Sequence, residues 1–266
     1  MNIPRRGSFK GNTKQRDHLA GSHSVLEALA ARRRRCHQLY VSERMKTDRR
    51  QAVAVQSQAA GVPMTLTDDA SLSDMTGTRR HQGLCLVADP LPTLDLGQVT
   101  AMVDRSSEPP FVLILDQIAD PHNLGALLRT ALCAGVTAVI LAKDRSTGLT
   151  PTVSRVSAGA MEHLAVARVP NLAEAMRRLK SHGIWVAGLD RDQGCDIFDS
   201  PLPPALALVV GSEGRGMRPL LKTRCDLLLA IPQHGDLNSL NASVAGAIAM
   251  YEILRQRRRT PTASLS

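Results

Sequence analysis

The chain has very few aromatic side chains, because three Phe, two Tyr and one Trp make up only 2% of its 266 residues. Proteins that bind nucleic acid by stacking bases need exposed aromatic rings, and this chain has too few aromatic residues for that mode of binding. We expect the single tryptophan, Trp185, to pack inside a core strand. Any contact with nucleic acid therefore has to depend on charge and shape.

Long apolar runs, an export signal and clustered cysteines are also missing. The longest apolar runs, such as 111–116, are too short to span a bilayer, and the basic N-terminus lacks the apolar core of a signal peptide. The five cysteines lie far apart, with no CxxC pair and no Cys/His cluster at the spacing of metal ligands. We therefore expect a cytoplasmic protein with no membrane span, no metal site and no disulfide framework.

Basic residues are in excess, since 33 Lys and Arg against 24 Asp and Glu give a formal net charge of +9. Such a surface is suited to phosphate backbones. The arginines of 32–35 and of 255–259 close predicted helices, where the helix dipole also favours cations, so a structural role and an RNA contact both stay open for them. Further basic residues favour RNA contact by the N-terminal domain: Arg44, Lys46, Arg49 and Arg50.

Composition and hydrophobic patterning divide the chain into five segments. We predict a basic disordered tail (1–17), a small α/β domain (18–89), a proline-rich linker (90–110), a second α/β domain (111–258) and a short disordered tail (259–266). In the second domain, continuously apolar strands alternate with helices. This pattern predicts a parallel sheet that is covered by helices on both faces.

Three segments of the second domain carry polar residues or glycines where predicted strands end. DPHNLGALLRTALCAG begins a helix, for which Asn123 is the expected N-cap, and Arg129 lies opposite the apolar stripe of that helix. The glycines of GSEGRG let backbone amides approach a ligand, but no P-loop and no GxGxxG after the first strand is present, which disfavours a nucleotide-dependent α/β enzyme. IPQHGDLNSLNAS precedes an apolar helix that Ser239, Asn241 or Ser243 would cap.

In this order and spacing, the three segments resemble the SpoU/TrmH family of SPOUT RNA 2′-O-ribose methyltransferases. Two N-terminal stretches, GSHSVLEAL and RRHQGLCLVA, resemble the substrate-binding domain of its ribosomal-RNA branch, in particular the 23S rRNA guanosine-2′-O-methyltransferase subgroup. The resemblance implies an α/β fold in which a small α/β (L30e-like) RNA-binding domain precedes a C-terminal SPOUT domain with a parallel sheet and a deep trefoil knot. It also implies S-adenosyl-L-methionine (SAM) as methyl donor, 23S rRNA as partner, and a homodimer with its active site near the interface.

The resemblance also assigns the residues of the site. SAM would bind in the knot, held largely by the backbone groups of Gly211, Ile231 and Leu240. The catalytic residues carried over from the family are Asn123, Arg129, Glu213, Ser239 and Asn241. The family gives Arg129 a base role, but a guanidinium stays protonated in proteins, so an unusual base and a phosphate clamp both stay open. Glu213 would hold Arg129 or a neighbouring loop.

Two other functions stay open beside this one. A transfer-RNA 2′-O-methyltransferase of the same family would have short terminal extensions, and the added N-terminal domain argues against it. A non-catalytic RNA-binding factor of ribosome assembly would not need Asn123, Arg129 and the SLN triplet, all of which are present. The enzyme therefore remains the favoured interpretation.

Overall fold

The computed structural model describes residues 16–234 and 239–259, which form two α/β domains, each with its own sheet. Most of the two predicted tails, residues 1–15 and 260–266, lies outside the described residues. Asp17 does not belong to a tail, because it begins the first strand. No helix in the described part of the chain is long and apolar enough to cross a membrane.

The N-terminal domain is built on a mixed sheet. In chain order its elements are β1 (Asp17–Ala20), α1 (Ser22–Ala31), β2 (Cys36–Ser42), α2 (Thr47–Ala59), β3 (Met64–Thr67), α3 (Asp69–Thr76) and β4 (Leu84–Ala88). The strand order is β1-β4-β2-β3, in which β4 pairs antiparallel with β1 and β2, and β2 pairs parallel with β3. Strands β1 and β3 have four residues each, which is too short to show a periodicity in the sequence.

The connection between the domains contains a helix that the predicted linker did not include. Helix α4 (Leu96–Asp104) begins with a capping box, in which Asp95 accepts from the backbone of Gln98 and the Gln98 side chain accepts from the backbone of Asp95. Val99 and Val103 of this helix are buried in the core of the second domain. The segment 90–110 is therefore partly a packed element, and the capping box was the signal in the sequence.

The C-terminal domain has the predicted parallel sheet. Its elements are β5 (Phe111–Leu115), α5 (Pro121–Cys133), β6 (Ala138–Ala142), α6 (Pro151–Val156), a 3₁₀ turn (Ala160–Glu162), β7 (Val166–Val169), α7 (Leu172–Ser181), β8 (Trp185–Leu189), β9 (Cys195–Asp196), β10 (Leu206–Val210), α8 (Pro219–Lys222), β11 (Leu227–Ala230) and α9 (Ala242–Arg259). The strand order is β7-β6-β5-β10-β8-β11-β9, and each neighbouring pair is parallel. Helices α5 and α9 pack on one face of the sheet and α4 and α7 on the other.

Strand β10 lies between β5 and β8, although it follows both of them in the chain. The predicted trefoil knot stays a prediction, because part of the loop that follows β11, residues 235–238, lies outside the described residues. Trp185 corrects a prediction: it is the first residue of β8 and 49% exposed, so it is not a core side chain. The three residues that follow it in the strand, 186–188, are buried.

A buried ion cluster, formed by Asp17, Arg34 and Glu162, joins the two domains. The guanidinium of Arg34 donates to both carboxylate oxygens of Glu162, at 3.0 and 2.6 Å, and to Asp17 at 2.8 Å. The side chains of Arg34 and Glu162 are fully buried. Burial raises the pKa of Glu162, and the charge of Arg34 opposes this shift. Arg33 also bridges the domains, since it donates to the backbone oxygens of Glu162 and Leu164.

These contacts give two of the arginines at 32–35 a structural role, whereas Arg32 and Arg35 are exposed and both roles stay open for them. Arg33 and Arg34 hold the domains together, and the side chain of Arg34 is fully buried. Their partners lie about 130 positions later in the chain, as the separations of 128 and 131 residues show. A pairing over that distance leaves no local signal in the sequence.

We predict that Glu162→Gln lowers the free energy of unfolding by about 3 kcal/mol, because the buried guanidinium of Arg34 loses its fully buried counter-charge and keeps only Asp17. Urea denaturation followed by circular dichroism measures this change. Glu174→Gln is the matched control, since Glu174 pairs with Arg177 on the surface and its loss should change stability little. Equal effects of the two substitutions would contradict the role of the cluster.

Candidate active site

A cleft opens where three neighbouring strands of the C-terminal sheet end. It is lined by residues at the carboxyl ends of β8, β10 and β11, and it has about 850 Å³ of space including its open mouth. In parallel sheets, ligands bind outside the carboxyl ends of the strands. All three residues predicted to bind the methyl donor line this cleft: Gly211, Ile231 and Leu240. Glu213 and Ser239, predicted as catalytic, line it as well.

The glycine-rich segment after β10 forms a tight loop at the wall of the cleft. The backbones of Ser212 and Gly216 exchange two hydrogen bonds, of 3.1 and 2.9 Å, which close the loop on itself. Gly214 and Gly216 have positive φ angles, a conformation that favours glycine. A Cβ atom at Gly211 would lie 2.1 Å from the carbonyl carbon of Gly216. Only glycine therefore fits at position 211 without moving the loop.

A buried carboxylate anchors the far end of this loop. Asp116, the residue after β5, is fully buried and accepts hydrogen bonds from the backbone N–H of Arg218 at 3.0 Å and from its Nε at 2.9 Å. This contact ties the glycine loop to the neighbouring strand β5. The sequence analysis did not single out Asp116, although a charged residue that ends an apolar strand was a signal for such a role.

A second carboxylate, that of Asp190 at the end of β8, lines the cleft itself. Burial opposes its ionisation, but hydrogen bonds from Lys222 and from the backbone of Gln193 and Asp192 lower its pKa. Asp190 and Lys222 thus place a fixed ion pair in the wall of the cleft. The sequence analysis missed both residues, because no motif surrounds them.

Three predicted catalytic residues form one hydrogen-bonded cluster beside the cleft, which we call the asparagine cluster: Asn123, Glu213 and Asn241. Asn123 Nδ2 and Asn241 Nδ2 both donate to Glu213 Oε2, each at 3.2 Å. Asn241 Nδ2 also donates to Asn123 Oδ1 at 2.9 Å. The cluster therefore joins three segments that are separated by up to 118 positions in the sequence.

The position of Asn123 corrects its predicted role as a helix cap. Asp120 is the N-cap of α5 and accepts from the backbone N–H groups of His122 and Asn123, and Pro121 occupies the first helical position. Because Asp120 caps the helix, the side chain of Asn123 is available for the cluster. Asn241 does act as a cap, since its Oδ1 accepts from the backbone N–H groups of Ser243 and Val244 at the start of α9.

Arg129 stands apart from this arrangement. It lies on α5, two turns beyond Asn123, where it is exposed, and it is not among the residues that line the cleft. Its side chain makes no hydrogen bond or ion pair with another described residue. The described residues also contain no group of three or more His, Cys, Asp or Glu that could hold a metal. Within one chain, the structure thus brings together four of the five predicted catalytic residues and not the fifth.

Comparison with known proteins assigns the family. Residues 110–251 match the SpoU rRNA Methylase family, and residues 19–94 match a domain described as RNA 2′-O ribose methyltransferase substrate binding. The chain belongs to the SpoU rRNA Methylase family. It is a SAM-dependent RNA 2′-O-ribose methyltransferase, as its sequence motifs imply.

Individual relatives agree with this assignment. The chain is 39% identical to the 23S rRNA (guanosine-2′-O-)-methyltransferase RlmB of Ralstonia nicotianae, over 91% of this chain and 97% of the relative. A crystal structure of an RNA 2′-O ribose methyltransferase superposes with a TM-score of 0.77 at 27% identity, over 93% of this chain and 91% of the other. The SpoU methyltransferase AviRb from Streptomyces viridochromogenes, solved with AdoMet, shares the fold with a TM-score of 0.76 at 22% identity, over 91% of each chain.

The cleft of the SpoU domain fits a methyl donor that is held mainly by backbone groups. Its apolar wall is formed by Leu189, Val210 and Leu229, which suits an adenine ring, and the glycine loop leaves backbone groups accessible beside it. The tight packing at Gly211 supports this fit, because a side chain there would displace the loop that carries those groups.

We predict that Gly211→Ala weakens SAM binding roughly tenfold or more, since forcing a methyl group into a closely packed site costs about 1–3 kcal/mol. Isothermal titration calorimetry with SAM measures the change. Gly148→Ala is the control, because the nearest atom to a Cβ there is 3.7 Å away and belongs to the flexible side chain of Arg168. Unchanged SAM affinity in Gly211→Ala would contradict the placement of the donor in this cleft.

Proposed function

We propose that this protein methylates the 2′-hydroxyl of a guanosine ribose in 23S rRNA, in the cytoplasm, as a homodimer. The observation that carries the proposal is the asparagine cluster beside the cleft, because it sets three polar side chains next to the predicted donor site. The guanosine and the 23S rRNA come from the activity for which the Ralstonia relative is named. The N-terminal domain supports RNA as the substrate, because it matches a substrate-binding domain of RNA 2′-O ribose methyltransferases.

In this proposal, the asparagine cluster positions the ribose. SAM supplies an electrophilic methyl group, and the reaction requires the ribose oxygen to be aligned with it at near-attack distance. Glu213 Oε2 is occupied by both asparagines, whereas Oε1 has no partner among the described residues and can accept a hydrogen bond from the ribose hydroxyl. Asn123 retains a second Nδ2 hydrogen for the same nucleotide. Ser239, which is exposed and lines the cleft, would also contact the substrate.

The isolated position of Arg129 supports the proposed dimer. Arg129 and Leu132 are neighbours on the exposed side of α5, three residues apart, and Leu132 is 39% exposed. Helix α9 packs against α5 through Gly246 and Leu127. On α9, Val244, Ile248 and Tyr251 follow helical spacing, and Val244 and Tyr251 are 46% and 52% exposed. Burial of these apolar side chains against a second copy would bring Arg129 of one chain towards the partner's site.

A direct test of the function uses purified protein, SAM with a labelled methyl group and transcribed 23S rRNA. We expect incorporation of one label per RNA, at a guanosine that then resists alkaline cleavage, because a methylated 2′-oxygen cannot attack the adjacent phosphate. Transfer RNA is the control substrate. Methylation of transfer RNA alone would contradict the proposal, and so would RNA binding without transfer.

The proposal that Arg129 of one chain completes the active site of its partner is tested by mixing two inactive variants. Arg129→Ala should abolish methyl transfer but leave SAM affinity unchanged, because Arg129 lies outside the cleft. Asn241→Ser should also abolish transfer, while serine still caps α9. If Arg129 acts across the dimer, heterodimers of the two variants contain one intact site, and the mixture should regain transfer. No recovery in a mixture of exchanged heterodimers would contradict the proposed arrangement, and retained transfer by Arg129→Ala alone would exclude a catalytic role for this residue.

A further inference from the structure

A cleft lies along the joint between the two domains and is lined by cationic side chains. We call it the joint cleft, and it is formed by Gly21, His23, Arg80, Gln82, His122 and Arg155, among others. Arg80 and Gln82 belong to the loop before β4, whereas His122 and Arg155 belong to α5 and α6 of the SpoU domain. No carboxylate is among its described lining residues. Both domains therefore contribute positive charge to one concave surface.

A second depression, on the N-terminal domain, continues this surface. We call it the basic groove, and its cations are Arg44, Lys46, Arg49 and Arg79. Gln82 lines both depressions, and its Oε1 accepts from the backbone N–H of Ser22 at 2.8 Å, which fixes the side chain between them. The one carboxylate of the groove, Asp69, is 4.0 Å from Arg44 and leaves the other cations without an acidic partner.

Several cations of this surface lack the acidic partners that the arginines of the ion pairs elsewhere in the described part of the chain have. Arg177 and Arg255 each donate two hydrogen bonds to a carboxylate, and Arg34 donates three to two carboxylates. In contrast, the side chains of some cations on this surface make no hydrogen bond or ion pair with a described residue: Lys46, Arg79, Arg80 and Arg155. Clustered like charges repel each other, and a bound polyanion relieves this repulsion.

The joint cleft is also next to the asparagine cluster. His122, which lines the cleft, directly precedes Asn123 in the first turn of α5. The buried cluster of Arg34, Glu162 and Asp17 holds the two domains together, so the cations of both domains keep their positions relative to Asn123. A polyanion in the joint cleft would therefore pass beside the residues that position the ribose.

We propose that the joint cleft binds phosphodiester groups next to the methylated ribose, and that the basic groove binds the RNA backbone of the adjoining nucleotides. Arg80 and Arg155 are the main contacts in the joint cleft, since they come from different domains and their side chains have no partner among the residues that the structure describes. The inference rests on the proposed function, because it takes RNA as the substrate. The inference adds to that function the residues that bind the RNA strand and the direction in which the RNA strand leaves the active site.

The test replaces both arginines, in Arg80→Gln/Arg155→Gln, and measures affinity for transcribed 23S rRNA over a series of KCl concentrations. Each lost phosphate contact should reduce the slope of log affinity against log salt by about one, so we expect a reduction of about two and, at 0.1 M salt, affinity weakened on the order of tenfold per arginine. SAM affinity, measured on the same preparations, should be unchanged. This second measurement also reports that the variant is folded.

Two control variants separate contact from net charge. Arg105→Gln/Arg178→Gln removes the same charge from the C-cap of α4 and from α7, on the face of the sheet opposite α5, and should leave the slope unchanged. Arg80→Lys/Arg155→Lys keeps the charge in the cleft and should retain most of the slope. An unchanged slope in the glutamine variant of the cleft, or an equal reduction in the Arg105/Arg178 control, would overturn the inference.

The outcome for the unmodified protein distinguishes the two proposals. If the wild-type protein neither binds nor methylates 23S rRNA, the proposed function fails and the inference fails with it. If the wild-type protein methylates the RNA and the double variant binds it equally well, the function stands and only the placement of the strand is overturned.

Discussion

The position of β10 between β5 and β8 is the constraint on which the rest of the site depends. In a parallel sheet, strands that are neighbours end at the same edge, so the loops after β5, β8, β10 and β11 meet there. The loop after β5 leads to Asn123, the loop after β10 carries Glu213, and the loop after β11 leads to Asn241. Hydrogen bonds among these three side chains, and the hydrogen bond between Asp116 and Arg218, then fix the positions of the loops relative to one another.

The two domains act together because their joint is buried and charged. Arg34 has no exposed side-chain surface and is held by carboxylates of both domains, so a change of domain orientation would expose or break an ion pair. Gly159 adds a steric constraint, since a Cβ there would lie 2.5 Å from Glu27 of the other domain. A surface that spans the joint is therefore already shaped before RNA arrives, which lowers the cost of ordering on binding.

The sequence was sufficient for the sheet, because continuous apolar strands are a local signal, whereas the site residues were assigned through the resemblance of three whole segments to a family. The pattern of strands indicated a parallel sheet. Taken locally, Asn123 was expected only as a helix cap, and its place in the site, like those of Gly211 and Asn241, was implied by the family resemblance. The sequence was insufficient where the role of a residue depends on a contact with a segment far away in the chain. The partners of Arg34, the exposure of Trp185 and the place of Arg129 outside the cleft depend on packing between segments that no local pattern reports.

Asn241 shows how closely the functions of the last segment are linked. Its Oδ1 caps α9, and its Nδ2 donates to both other members of the asparagine cluster, so the start of the helix and the position of the cluster cannot change independently. Leu240, one residue earlier, lines the cleft, and Val244, three residues later, begins the exposed apolar stripe. In the proposed dimer, a partner that packs on this stripe would restrict the same helix turn that borders the donor cleft. Assembly and binding of the methyl donor would then be coupled through α9. Each would restrict the motion of the first turn of this helix, so that the other would have less motion left to restrict.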